Sequence, residues 1–126
     1  MSFKTDYGRV LGLGSAKEGV HHWWSARVTS VALIPLTIAF LWIVAPLFGQ
    51  GFDSVEEAFA NPLKAIIVIF FILVTTRHLA EGNQVVIEDY IHGKGLRTFA
   101  LLKNTLGVWA LGLAAIFAVA KIAFGA

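Results

Sequence analysis

The chain contains no cysteine, which excludes disulfide bonds, thiolate zinc sites and cysteine-ligated iron–sulfur clusters within its 126 residues. Any metal that it binds must be held by histidine or carboxylate. Charged residues are also scarce, at 14% against 57% hydrophobic residues, and the mean hydropathy is +0.74. This composition is too apolar for a soluble domain of this size, so we expect a small, all-α integral membrane protein.

Two further patterns are missing. The net charge of +2 does not indicate nucleic-acid binding, because the basic residues are scattered rather than clustered. The sequence also lacks a signal-peptide pattern, since Lys4, Arg9 and Lys17 precede any long apolar run and no cleavage motif follows them closely. We expect residues 1–25 to remain in the mature protein as a cytoplasmic N-terminal segment.

Long apolar stretches predict three transmembrane helices within a single membrane-anchor domain, residues 1–126. The uncharged run from Val28 to Phe48 has 21 residues, enough to cross about 30 Å of hydrocarbon at about 1.5 Å per residue. Pro35 lies inside it, as transmembrane helices tolerate. The spans are predicted at about 27–48, 63–91 and 99–124.

Helix-breaking residues mark the segments outside the spans. Residues 49–61 form a loop, and Ser54 followed by Glu57 is a capping-box pattern that predicts a short surface helix. His92 to Gly95 ends the second span. Three glycines argue against a continuous helix up to Val20: Gly12, Gly14 and Gly19.

The distribution of Lys and Arg predicts the orientation in the membrane. The loop between the first two spans has only acidic charges, at Asp53, Glu56 and Glu57. Because basic residues favour the cytoplasmic side, we expect a cytoplasmic N-terminus and a periplasmic C-terminus. Seven of the ten Lys and Arg residues flank the other side of the spans: Lys4, Arg9, Lys17, Arg27, Lys94, Arg97 and Lys103.

The second span carries an unusual polar stripe. On a helix, Gly82 lies about 40° around from His78, and Asp89 returns to within about 20° of it. A histidine at this depth normally faces other helices, a cofactor or water, and imidazole projecting from a bundle helix is a usual ligand for haem iron. The glycine would let a flat ligand, or another helix, approach the backbone.

Two charged residues flank His78. Arg77 and Glu81 are four positions apart, so they can pair across one helical turn. The simplest interpretation is a mutually neutralising pair that faces protein. A direct contact with haem, or a proton relay through Arg77, His78 and Glu81, is the alternative.

The stretch that leads into the first span is also polar. Trp23 and Trp24 favour anchoring at the membrane interface. Arg27 either extends to lipid headgroups or pairs with a carboxylate such as a haem propionate, and His21 could donate to the same anion. His21 and His22 point about 100° apart on a helix, so they do not easily chelate one ion.

These residues resemble a known family. Gly19-Val20-His21, Arg27 and an apolar span, followed by His78, Gly82 and Asp89-Tyr90, are similar to the membrane-anchor D subunit of succinate dehydrogenase, the succinate:quinone oxidoreductase of respiratory complex II. The resemblance covers the whole chain. Its most specific element is the separation of His78 from the Asp89-Tyr90 pair, with Gly82 one turn after the histidine.

The resemblance implies a role for each matching residue. His78 is expected to be one axial ligand of a haem b shared with the cytochrome b C subunit, with Arg27 and His21 near the haem propionates. Tyr90 is expected to donate a hydrogen bond to a ubiquinone carbonyl oxygen, with Asp89 close by. The expected partners are the flavoprotein, iron–sulfur and C subunits, in the bacterial inner membrane.

Three functions remain open from the sequence. The favoured one is a subunit of an enzyme that transfers electrons from succinate to quinone and has no complete active site in this chain. The second is a haem-free structural membrane anchor. The third is a small transporter subunit with a proton relay, which the absence of repeated spans disfavours.

Overall fold

The structure is a computed structural model that describes residues 5–11 and 18–125. Lys4, Gly12, Gly14 and Lys17 therefore lie outside the described residues. The described part is helical, with a short 3-10 helix at Ala45–Leu47 between α2 and α3. The α-helices are α1 (Asp6–Leu11), α2 (Glu18–Val44), α3 (Phe52–Ala60), α4 (Pro62–Tyr90) and α5 (Lys94–Ala123).

Three of these helices are long and apolar enough to cross a membrane, which confirms the predicted number of spans. They are the segments Gly19–Leu47, Pro62–Tyr90 and Lys94–Ala123. Helix α4 lies in the centre and packs against both α2 and α5. We call the end of the bundle where α2 starts and α4 finishes the site end, and the other the α3 end.

The helix of the first span begins at Glu18, before the predicted start of the span at about residue 27. It includes Gly19 and Val20, so Gly19 does not interrupt it, whereas Gly12 and Gly14, the other two glycines of the predicted break, lie outside the described residues. A helix running beyond the hydrocarbon satisfies its own backbone groups, which outweighs the modest helix penalty of one glycine. The same helix continues through Pro35.

The α3 end holds the bundle's buried apolar core. Phe59 of α3 and Ala65 and Val68 of α4 are buried, and side chains from α2, α5 and the 3-10 helix pack around them. The predicted short helix is present, but it packs against α4 and α5 rather than lying free on the surface. Its apolar residues thus close this end of the bundle.

The predicted capping box of α3 is wrong. The N-cap residue is Gly51, and no side chain caps it, so Ser54 and Glu57 both lie inside the helix. The amide of Ser54 donates to the carbonyl of Gly51. Helix α4 does have a side-chain cap, because Asn61 Oδ1 accepts from the amides of Leu63 and Lys64.

Small and polar residues join α4 to α5. Asn83 Nδ2 donates to Asn104 Oδ1 at 3.1 Å, and Asn104 Nδ2 donates to the carbonyl of Ala80 at 2.9 Å. Buried Gly112 lies against Thr76, where a Cβ would come within 2.7 Å of Thr76 Cγ2. Such close approach and interhelical amide bonding are how membrane helices associate without a hydrophobic drive between them.

Candidate functional site

His78 lies at the contact between α4 and α2. Its Nδ1 atom is 2.9 Å from the Thr29 hydroxyl oxygen, which joins residues 49 positions apart in sequence. The ring is half-buried. Its Nε2 atom has no hydrogen-bond partner among the residues described, and it is not one of the buried unpartnered atoms, so it faces open space. One ring nitrogen is therefore held by the protein and the other is free.

Gly82 leaves the surface beside this stripe of α4 open. A Cβ built on Gly82 would meet nothing within 4 Å. Within the described chain, therefore, no helix uses the room that the glycine provides. The space is available to a ligand or to a partner subunit's helix.

Arg77 and Glu81 pair with each other, as their spacing predicts. Arg77 Nε donates to Glu81 Oε1 at 2.6 Å, and Arg77 Nη2 lies 2.6 Å from the same oxygen. Ser25 of α2 donates to that oxygen at 2.7 Å. Glu81 is 7% exposed, so its carboxylate is a buried link between α2 and α4. His78 is bonded to Thr29 and not to this pair.

A groove of about 680 Å³ runs between α2 and α4 at the site end. Arg27 lines it with Trp23, and the Arg27 guanidinium lies 5.5 Å from the centre of the Trp23 ring, a cation–π geometry. From α4, Val85 and Glu88 line the same groove. An anion entering this groove would meet Arg27 as a fixed cation.

A second cavity of about 260 Å³ lies between α2, α4 and α5. His21 lines this cavity together with Arg77 and Glu81. His21 and Arg27, which the sequence predicts near one anion, thus line different cavities. His22 borders both cavities, and its Nε2 is buried without a partner among the described residues.

Tyr90 and Asp89 lie at the last turn of α4. Tyr90 is the final helical residue, 79% exposed, and Asp89 is also exposed. Twelve residues separate Tyr90 from His78, which is about 18 Å along the helix axis. The structure therefore presents two chemically distinct positions on one helix, an imidazole deep in the bundle and a phenol at its end.

Thr29 and Ser25 are the site residues that sequence reasoning missed. Both lie in the polar stretch at the start of the first span, but small hydroxyl residues are ordinary in membrane helices. Only the packing of α2 against α4 brings Thr29 to His78 and Ser25 to Glu81. The sequence contains no spacing that would reveal these contacts.

Fold and site together define a three-helix membrane anchor with a partnered histidine inside the bundle. Residues 1–120 match the family described as succinate dehydrogenase/fumarate reductase transmembrane subunit. The succinate dehydrogenase hydrophobic membrane anchor subunit of Paracoccus denitrificans is 36% identical over 126 residues, covering 100% of this chain and 97% of that protein.

Two further relatives agree. The succinate dehydrogenase membrane anchor subunit of Reclinomonas americana is 31% identical over 74% of this chain and 80% of its own length. The anchor subunit of Rickettsia bellii is 27% identical over 79% of this chain and 80% of its own length. No solved structure gives a significant match. The chain belongs to the succinate dehydrogenase/fumarate reductase transmembrane subunit family and is a multi-pass membrane-anchor subunit of succinate dehydrogenase.

Proposed function

We propose that this subunit shares a haem b with a partner subunit through His78 and forms one wall of a quinone site with Tyr90 and Asp89. Electrons from succinate would reach that quinone through the partners' redox centres. The observation that carries the haem assignment is the imidazole of His78, which is fixed at Nδ1 by Thr29 and has a free Nε2.

The residues around His78 fit a haem. The open space at Gly82, one turn along the helix, suits the close approach of a flat macrocycle. A bound haem would supply one-electron storage and transfer, while this chain supplies a single imidazole. The other protein ligand to the haem iron would come from the cytochrome b C subunit.

We propose that Arg27 and His21 lie near the haem propionates, and Arg27 has the stronger support. It lines the groove between α2 and α4, and guanidinium pairs well with a carboxylate in a bidentate geometry. His21 remains a propionate candidate, but it lines the second cavity.

Tyr90 and Asp89 suit a quinone headgroup at the membrane surface. The phenol hydroxyl of Tyr90 can donate a hydrogen bond to a quinone oxygen that gains negative charge on reduction. Because Tyr90 ends the helix and is exposed, a headgroup can reach it while an isoprenoid tail stays in lipid. Asp89 can orient the phenol or pass protons. Ubiquinone is the acceptor that we propose.

Membrane orientation and partners complete the proposal. The bias of Lys and Arg favours a cytoplasmic N-terminus in the inner membrane. Helix α2 leaves large apolar residues exposed, including Ile34, Ile38 and Trp42, which suits contact with lipid or another membrane subunit. We propose assembly with flavoprotein, iron–sulfur and cytochrome b C subunits.

The test is the reduced-minus-oxidised spectrum of the purified complex. His78→Ala should abolish the b-type absorption or change its ligation, whereas His92→Ala, which alters an exposed histidine in the loop after α4, should leave it intact. A full wild-type haem spectrum in His78→Ala would refute the ligand assignment.

A haem-free anchor is the alternative function. Absence of haem from the wild-type complex, with normal assembly of the soluble subunits, would favour it. The proton-relay alternative has less support, because Arg77 and Glu81 bond to each other and to Ser25 rather than to His78.

A further inference from the structure

Thr29 is placed to control which nitrogen of His78 is available. Its hydroxyl oxygen lies 2.9 Å from the carbonyl oxygen of Ser25 and 3.1 Å from that of Ala26, one turn back on α2. The same oxygen lies 2.9 Å from His78 Nδ1 on α4. A threonine hydroxyl has one hydrogen to donate and lone pairs to accept with.

Two arrangements of hydrogens are possible. If His78 carries its proton on Nδ1, the ring donates to the Thr29 oxygen and the hydroxyl hydrogen goes to a backbone carbonyl, so every donor is used. If the proton is on Nε2, the hydroxyl donates to Nδ1, and the Nε2 hydrogen has no acceptor among the described residues. An unpaired donor at membrane depth is costly.

We infer that Thr29 is a positioning residue that holds His78 as the Nδ1-protonated tautomer and so reserves the Nε2 lone pair for iron. The inference rests on the proposed haem function. A ligating histidine generally donates its other ring hydrogen to a fixed acceptor, which orients the ring and increases its electron donation to the metal. Here the acceptor comes from a different helix, so the packing of α2 on α4 prepares the ligand.

The midpoint potential of the haem is the readout that separates this role from plain packing. Thr29→Val keeps the side-chain shape but removes the acceptor, so the imidazole donates less to ferric iron and the potential rises. A tenfold change in the equilibrium between ferric and ferrous haem shifts the midpoint potential by about 59 mV, because one electron is transferred. The affinity for haem should also fall by about 10- to 100-fold, so less haem should remain bound during purification.

Two variants control for the change of residue. Thr29→Ser retains a hydroxyl and should restore the potential and the haem content. Thr37→Val makes the same substitution at an exposed position further along α2 and should behave as wild type. Thr29→Ala provides a second hydroxyl-free variant, so that a failure of Thr29→Val to assemble does not remove the comparison.

The two proposals can fail separately. Loss of haem in His78→Ala, together with a wild-type potential and haem content in an assembled hydroxyl-free Thr29 variant, would overturn the role of Thr29 alone. Full haem retention in His78→Ala would overturn both the ligand assignment and this inference. A raised potential in Thr29→Val that Thr29→Ser reverses would support both.

Discussion

Ser25 on α2 donates a 2.7 Å hydrogen bond to Glu81 on α4, to the same carboxylate oxygen that Arg77 holds at 2.6 Å. Three polar side chains thus join two membrane helices. Because Glu81 is almost fully buried while the Arg77 side chain is 46% exposed, the two members of the pair are not equivalent.

Arg77→Leu should destabilise the complex more than Glu81→Leu. Removal of Arg77 leaves a buried carboxylate with Ser25 as its remaining partner, whereas removal of Glu81 leaves a guanidinium that can extend toward water or headgroups. The double variant Arg77→Leu with Glu81→Leu should lose less stability than the sum of the two single variants, because neither charge is then left without its partner. Thermal unfolding of the purified complex in detergent measures this.

The control for this pair is Glu88→Leu. Glu88 accepts from Gln84 at 2.9 Å in an exposed pair on the same helix, and exposed pairs of this kind contribute little. Equal losses of stability for Arg77→Leu and Glu88→Leu would contradict the buried role of the Arg77–Glu81 pair.

Gly112→Ala should separate α4 from α5. The added Cβ would lie within 2.7 Å of Thr76 Cγ2 and closer still to Thr76 Oγ1, so either the Thr76 side chain or one of the two helices must shift. Overpacking of this kind costs about 1–3 kcal/mol. Gly107→Ala on the same helix meets nothing within 4 Å and should be neutral or slightly stabilising. The melting temperatures of the two variants provide the comparison.

A rescue experiment completes this prediction. Thr76→Ala removes Oγ1 and Cγ2, the two atoms nearest to the new Cβ, and leaves the Cβ of residue 76 at 3.0 Å, so the double variant with Gly112→Ala should regain part of the lost stability. If Gly112→Ala and Gly107→Ala melt at the same temperature, the close contact between residue 112 and Thr76 does not limit the stability of the bundle, and the prediction is contradicted.

Tyr90→Phe should lower quinone reductase turnover by about 10²-fold, the usual cost of removing one donor to a developing oxyanion. Assembly and succinate oxidation with an artificial acceptor should be unchanged, since these do not use the phenol. Tyr7→Phe, at an exposed tyrosine of α1, is the matched control. Wild-type turnover in Tyr90→Phe would show that the phenol is dispensable.

Arg27→Leu should lower the haem midpoint potential, opposite in sign to Thr29→Val. Loss of a cation beside a propionate leaves its negative charge uncompensated, and this favours ferric iron. Arg27→Lys keeps the charge and should change the potential less. A spectrum and potential equal to wild type in Arg27→Leu would leave Arg27 as an interface anchor through Trp23.

The outcome for individual residues shows where sequence patterns were sufficient. The pairing of Arg77 with Glu81 follows from a four-residue spacing that is local to one helix, and the structure confirms it. The capping box at Ser54 and Glu57 was wrong, although it is also a local pattern, because the N-cap of α3 is Gly51, three residues earlier, and the helix packs onto the bundle. Tertiary packing overrode a weak propensity there.

The separation of His21 from Arg27 shows what a linear pattern misses. Six residues apart on one helix, the two side chains point to different sides of α2, and each side faces a different neighbour. Helices α2 and α4 line the groove that contains Arg27, whereas α2, α4 and α5 line the cavity that contains His21. A shared motif in sequence therefore does not imply a shared pocket.

The sequence by itself determined that this is an all-α membrane protein with three spans and an Arg77–Glu81 pair, because composition, hydrophobic length and helical spacing are properties of single segments. Only the tertiary structure decided that Thr29 holds His78 and that Ser25 completes the bond to Glu81. Those contacts depend on the relative rotation and height of α2 and α4, and these are set by interhelical packing rather than by either segment alone.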